Sequence, residues 1–167
     1  MVAKATNWLP GLLKMPKKGA PKCSKKIAVA FDESPEAARA FRSALELAKL
    51  TGSELTMVTV VERLPAYVSY VSAVAPDVPQ ILQQEKQTFY AQLHHKARQT
   101  AQQVGVAVSI TTIEGNEIEG LLALIDEVQP DLLVIGVRRE PGGFSGFIGG
   151  TAHHLALHAK CNILGIR

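Results

Sequence analysis

Short apolar runs alternate with segments of helical period along most of this chain. Residues 26–31 (Lys-Ile-Ala-Val-Ala-Phe), 54–61, 106–113, 132–136 and 162–167 carry Val, Ile and Leu in runs too brief for buried helices. Between them, apolar residues recur three or four apart. Ala37, Phe41, Ala44 and Ala48 form one such stripe, and Leu82, Phe89, Leu93, Ala97, Ala101 and Val104 form a second, over a helix expected at 80–104. Ile118, Leu121, Leu122 and Ile125 make a third; Ala152, Leu155 and Ala159 make the last. The order is β-α-β-α-β-α-β-α-β. A helix between successive strands returns the chain for a parallel neighbour, through right-handed crossovers that cover both faces of one sheet. The expected fold class is α/β, an open five-stranded parallel sheet with helices on both faces.

The breaks carry their own signals. Ser34-Pro35 supplies an N-cap and a first helical residue whose missing N–H costs nothing. Gly52 and Gly105 are placed to end helices, and Asn116 to start one. Residues 64–79 hold three prolines (Pro65, Pro76, Pro79) and read as an irregular connection. Aromatic residues are only 5% of the chain, so the core must be built from Ala, Val, Leu and Ile. A composition of 47% apolar and 20% charged residues excludes a largely disordered protein.

The net charge of +3 is misleading. Residues 1–26 contain seven lysines and no acid, whereas acids outnumber bases in the remainder. The body therefore does not resemble a nucleic-acid-binding surface, and no specific nucleic-acid partner is expected. The chain divides into a basic, flexible N-terminal extension, 1–24, and a domain, 25–167. Prolines 10, 16 and 21 interrupt any helix in the extension. It reads either as a solvated tail or as a docking segment, with Trp8, Leu12 and Leu13 as anchors and lysines facing an anionic membrane or an acidic partner. No apolar run approaches the ~20 residues of a transmembrane helix. Two cysteines, Cys23 and Cys161, fit a reduced cytoplasmic setting or at most one bridge.

Standard catalytic signatures do not occur: no P-loop, no G-x-G-x-x-G, no H-E-x-x-H, no C-x-x-C and no G-x-S-x-G. The segment Gly136-Val-Arg-Arg-Glu-Pro-Gly-Gly-Phe-Ser-Gly-Phe-Ile-Gly-Gly-Thr151 stands out. It joins a strand to a helix and holds six glycines. Glycine lets backbone N–H groups turn towards a ligand, and the following helix start adds unpaired donors and a positive dipole end. Such a loop is a candidate phosphate cradle, or a turn rich in glycine for conformational reasons alone. Open parallel sheets take ligands beyond the carboxyl ends of their strands, which gathers Asp32, Val60, Gly136 and the 137–150 loop.

Four segments together resemble the universal stress protein family across residues 25–167: Ile27-Ala-Val-Ala-Phe-Asp-Glu-Ser-Pro-Glu-Ala37, Thr59-Val-Val-Glu62, Asp131-Leu-Leu-Val-Ile-Gly136 with its loop, and Gly149-Gly-Thr-Ala-His-His-Leu155 leading to His158-Ala-Lys-Cys161. The resemblance implies the adenine nucleotide alpha hydrolase-like fold with strand order 3-2-1-4-5. It also implies a stress-response regulator that binds ATP or another adenine nucleotide, with Mg²⁺ for a triphosphate. Occupancy would tune dimerisation or partner contact. A homodimer through the terminal strand, 162–167, is the family's common assembly.

The family's nucleotide-binding branch carries Gly-x2-Gly-x9-Gly-[Ser/Thr]. On this chain the pattern starts at Gly136, and its third glycine is Gly149. Arg139 stands at the second glycine and Gly150 at the Ser/Thr position, with Thr151 one residue later. A one-residue shift pairs Gly150 with Thr151, but the spacing to His158 and Cys161 favours Gly149. By resemblance, Asp32 contacts the adenine or ribose, Ala30 and Val60 line the adenine pocket, and Ile135 and Gly136 pass beneath the ribose. Arg138, Arg139, Gly149, Gly150, Thr151 and Ala152 surround the phosphates. Arginine at 139 obstructs close backbone approach yet offers a bidentate phosphate partner. Two rival readings remain: a dimeric scaffold of the same fold that binds no nucleotide, and a slow ATPase. Hydrolysis is expected to be slow, because Asp32 is the one acid nominated near the loop. His154 and His158, four apart, fall short of the three or four ligands typical of zinc.

Overall fold

The computed structural model describes residues 25–64, 68, 74–138 and 150–167. The elements are β1 (Lys26–Ala30), α1 (Pro35–Thr51), β2 (Glu54–Val61), α2 (Val78–Val104), β3 (Val108–Glu114), α3 (Glu117–Val128), β4 (Leu132–Gly136), α4 (Gly150–His158) and β5 (Asn162–Ile166). All strand pairs are parallel and the sheet order is β3-β2-β1-β4-β5. From β1 the chain moves outward to β2 and β3, then crosses back to β4 on the other side. The order reverses between β1 and β4, and the crevice beyond their carboxyl ends is the place where such sheets bind ligands.

Each strand divides its side chains between two cores, because successive Cβ atoms leave opposite faces. Ile27, Val29, Leu55, Met57 and Val134 pack under α1 and α2, against Phe41, Leu45 and Ala97 among others. Ala28, Val58, Leu133 and Ile135 pack on the reverse face with Leu121, Leu124, Ile125 and Leu155 of α3 and α4. Small residues on α1 (Ala40, Ala44, Ala48) let that helix lie close to the sheet, which is how a core poor in aromatics closes.

The helix boundaries follow local chemistry. Ser34 caps α1, its Oγ accepting from the Ala37 amide at 3.1 Å, with Pro35 at the first position and Gly52 closing the helix at φ 66°. Asn116 caps α3 through the amides of Ile118 and Glu119. α3 ends on Gln129 at φ 50°, an unusual position for a residue with a Cβ, and Pro130 follows.

Three sequence expectations differ in detail. α2 begins at Val78, two residues before the expected start, with Pro79 in its first turn. Its inward face runs through Leu82, Lys86, Tyr90 and His94 to Ala97 and Ala101, and Phe89 is 46% exposed. Of the expected stripe, Leu82, Leu93, Ala97, Ala101 and Val104 are buried or half-buried and Phe89 stands out, because Lys86, Tyr90 and His94 share the inner face. On α3 the buried set includes Leu124, which the expected stripe omitted.

Candidate functional site

Two adjoining chambers open at the carboxyl edge of the sheet. The larger, about 560 Å³, lies against Ala30, Asp32, Val58, Val60, Ile135 and Gly136, with Leu82, Lys86 and Tyr90 of α2 on its far side. The smaller, about 310 Å³, lies among Asp32, Glu36, Glu117, Arg138, Gly150 and Thr151. Asp32, Ser34, Glu117, Ile135, Gly136 and Thr151 border both. These volumes fall in the range of small-molecule sites, roughly 300–1,000 Å³.

Strand order sets this arrangement. Asp32 follows β1, Gly136 ends β4, α1 and α3 begin within a few residues of the ends of β1 and β3, and the start of α4 borders the same edge. Asp32 holds the turn into α1: its Oδ1 accepts from the Ser34 amide at 2.9 Å. Val60 packs over Gly120 of α3, where an added Cβ would lie 3.3 Å from the valine methyls. Gly136 meets a different constraint from the one read in the sequence. A Cβ there would stand 2.6 Å from the Glu36 carbonyl carbon and 2.7 Å from the Ala37 amide nitrogen. The residue is glycine because the first turn of α1 rests on it. At Gly150, in contrast, an added Cβ would meet none of the described residues within 4 Å.

The smaller chamber carries more acid than base among the described residues. Glu36 lies 3.1 Å from Arg39 and 3.6 Å from Arg138. Its carboxyl is held below the ordinary range, first by a hydrogen bond from its own backbone amide and then by these arginines, against the opposing effect of burial. The Glu117 Oε2 accepts from the Thr151 hydroxyl at 3.1 Å, joining the starts of α3 and α4. No three His, Cys, Asp or Glu side chains among the described residues converge closely enough to hold a metal.

The larger chamber has a different lining. Tyr90 presents a ring whose phenol is pushed up by burial, with the acids Glu33, Glu62 and Asp32 adding to the effect. The Lys86 ammonium donates to the Glu62 backbone carbonyl, which ties α2 to the end of β2. Behind this wall, His94 meets the fully buried Thr59 hydroxyl at 3.1 Å, and burial, with Arg98, pushes its imidazole below the usual value. His94 thus belongs to the packing of α2 on the sheet. His154 and His158 lie with ring centroids 4.4 Å apart on the exposed side of α4. The Cys161 thiol is pushed up by burial, which keeps it protonated.

Every site residue expected from the sequence that lies among the described residues borders one chamber or both: Ala30, Asp32, Val60, Ile135, Gly136, Arg138, Gly150, Thr151 and Ala152. Arg139 and Gly149 lie outside the described residues. The sequence reading missed Glu36, Glu117, Lys86 and Tyr90. The two glutamates were findable, since helices that follow parallel strands begin at the ligand-binding edge and each stands in a first turn. Asp32 is thus one of several acids at the edge.

The universal stress protein family model matches residues 24–167. The chain belongs to the universal stress protein family. Its strand order, 3-2-1-4-5, is that of the adenine nucleotide alpha hydrolase-like fold. Among solved structures, this universal stress protein is similar to UspA from Lactobacillus plantarum at 21% identity and TM-score 0.69, covering 86% of this chain and 98% of that one. A family member from Burkholderia pseudomallei shares 26% identity at TM-score 0.66, over 88% and 98% of the two chains. The universal stress protein from Archaeoglobus fulgidus, solved in complex with dAMP, shares 22% identity at TM-score 0.62, over 87% and 99%. No curated protein sequence matches the chain. No helix among the described residues is long and apolar enough to cross a membrane.

Proposed function

We propose that this universal stress protein binds an adenine nucleotide at the paired chambers and acts as a stress-response regulator. The base and ribose would occupy the larger chamber, and the phosphates would extend into the smaller one, towards the start of α4. The observation that carries the reading is the pair of connected cavities at the β1/β4 reversal, one walled by apolar strand residues and an aromatic ring, the other ending at a helix N-terminus. The dAMP-bound relative supports it. Asp32, Ala30 and Val60 serve the base and ribose; Arg138, Arg139, Gly149, Gly150 and Thr151 serve the phosphates. A triphosphate would bring Mg²⁺ as its own counter-ion, since the described side chains do not assemble a metal site by themselves.

Occupancy is read out through dimerisation or partner contact. β5 pairs with β4 and forms one edge of the sheet, so a second copy can extend the sheet there. The domain spans 25–167, and the basic extension 1–24, which lies outside the described residues, is a separate contact segment for an anionic membrane or an acidic partner. The second reading, a dimeric scaffold without nucleotide, draws on Arg139 and Gly150 at signature positions that take glycine and Ser/Thr. Calorimetric titration of the full chain with AMP, ADP and ATP decides between them. Saturable binding with a thermal shift supports the regulator, and no heat at millimolar nucleotide leaves the scaffold.

A further inference from the structure

The chamber assigned to phosphate is lined by three carboxylates and one cation among the described residues: Asp32, Glu36 and Glu117 beside Arg138. Two of the acids are already engaged. Glu36 pairs with Arg39 and Arg138, and Asp32 accepts the Ser34 amide. Glu117 has no cation within ion-pair distance among the described residues. What it holds is the hydroxyl of Thr151, the side chain nearest the position where the family's nucleotide-binding signature places Ser or Thr. A hydroxyl has one proton to donate. The Thr151 proton points at a carboxylate, so a phosphate that takes it must lie against the Glu117 charge.

We propose that Glu117 is a specificity-determining residue that selects against phosphate charge, so that the site takes an adenine nucleotide with one phosphate in preference to a metal-free triphosphate. The proposal rests on the nucleotide-binding reading above and names the ligand class within it. Glu117 stands in the first turn of α3 and reaches the first turn of α4. Its charge masks the positive ends of both helices where they face the chamber. Each further negative charge on the ligand meets this field, and Arg138, already paired with Glu36, is the one cation bordering the chamber among the described residues. Solvent screens an exposed carboxylate, which limits the discrimination to a few-fold per charge, on the order of tenfold between a mono- and a triphosphate.

The test is calorimetric titration of AMP and of EDTA-treated ATP into the full chain and its Glu117→Gln variant. Glutamine keeps an oxygen that can accept from Thr151 and removes only the charge. The wild type is expected to bind AMP roughly tenfold more tightly than metal-free ATP. In Glu117→Gln the ratio falls to about threefold or less, because AMP, which also carries phosphate charge, gains affinity by a smaller factor than metal-free ATP does. Raising NaCl narrows the ratio more in the wild type than in the variant, whose remaining chamber charges are Asp32, Glu36 and Arg138. Glu117→Asp retains the discrimination. An unchanged ratio in Glu117→Gln, or tighter binding of metal-free ATP by the wild type, overturns this inference while the nucleotide reading stands. Failure of both proteins to bind either nucleotide overturns both.

Discussion

Gly136 and Glu36 approach so closely that a methyl group on the glycine would lie 2.6 Å from the glutamate's carbonyl carbon. The contact seats the first turn of α1 on the carboxyl end of β4, and it fixes the side of the crevice on which Asp32, Ser34 and Glu36 stand. The first glycine of the signature is therefore a packing requirement of the fold before it is a ligand contact.

Gly136→Ala should accordingly destabilise the domain. The obstructing atoms are backbone, so relief requires α1 to shift off the sheet, at a cost of about 1–3 kcal/mol. Urea unfolding would show a lower midpoint with an unchanged slope. A variant as stable as the wild type would show that α1 moves freely here.

Gly150 behaves in the opposite way. A Cβ there meets none of the described residues within 4 Å. Gly150→Ser should change stability by no more than about 0.5 kcal/mol, as for an ordinary surface replacement. It also installs the hydroxyl of the family signature at the start of α4, so nucleotide affinity should rise by roughly three- to tenfold, the equivalent of one added hydrogen bond. Titration with AMP measures it, and a loss of affinity would place the phosphate elsewhere.

Asp32 both caps a turn and borders the two chambers, and two variants separate these roles. Asp32→Asn retains an oxygen for the Ser34 amide, so the fold should be as stable as the wild type while adenine nucleotide affinity changes. Asp32→Ala loses the turn as well, costing about 1 kcal/mol. Thermal melts with and without AMP distinguish them. Equal affinity in wild type and Asp32→Asn would remove the carboxylate charge from the binding site.

His94 predicts a pH dependence. Burial and Arg98 hold its imidazole below the ordinary value near 6.5. The unfolded chain therefore takes up a proton more readily than the folded one. The associated stability is present above pH 6.5 and is lost as the pH falls through the lower folded value. Urea midpoints measured from pH 7.5 to 5 should decline, and His94→Gln should flatten that decline. Thr59→Val, which removes the hydroxyl facing His94 at 3.1 Å, should cost about 1 kcal/mol at neutral pH.

Much of the architecture was legible because its causes are local. Ser34-Pro35, Gly52 and Asn116 set helix ends through their own backbone and side-chain bonds, and the structure places them there. The α2 face was misread at Phe89 because the long helix turns polar residues, Lys86, Tyr90 and His94, towards the sheet edge and the larger chamber. A period read from apolar residues alone finds the apolar part of such a face, Leu82, Leu93, Ala97, Ala101 and Val104, and not its polar members. The glutamates were missed for a related reason. A carboxylate in a first turn is ordinarily a dipole partner, and nothing in the local sequence marks Glu117 as the neighbour of Thr151, 34 positions away.

The sequence by itself determined the alternation of strands and helices, the helix caps and the family, because each depends on residues adjacent in the chain or on a pattern repeated along it. Only the tertiary structure decided that Gly136 carries the first turn of α1, that Thr151 is held by Glu117, and that Tyr90 closes the larger chamber. Those relationships arise where parallel strands from distant parts of the chain end side by side, and packing rather than local propensity chooses which side chains meet there.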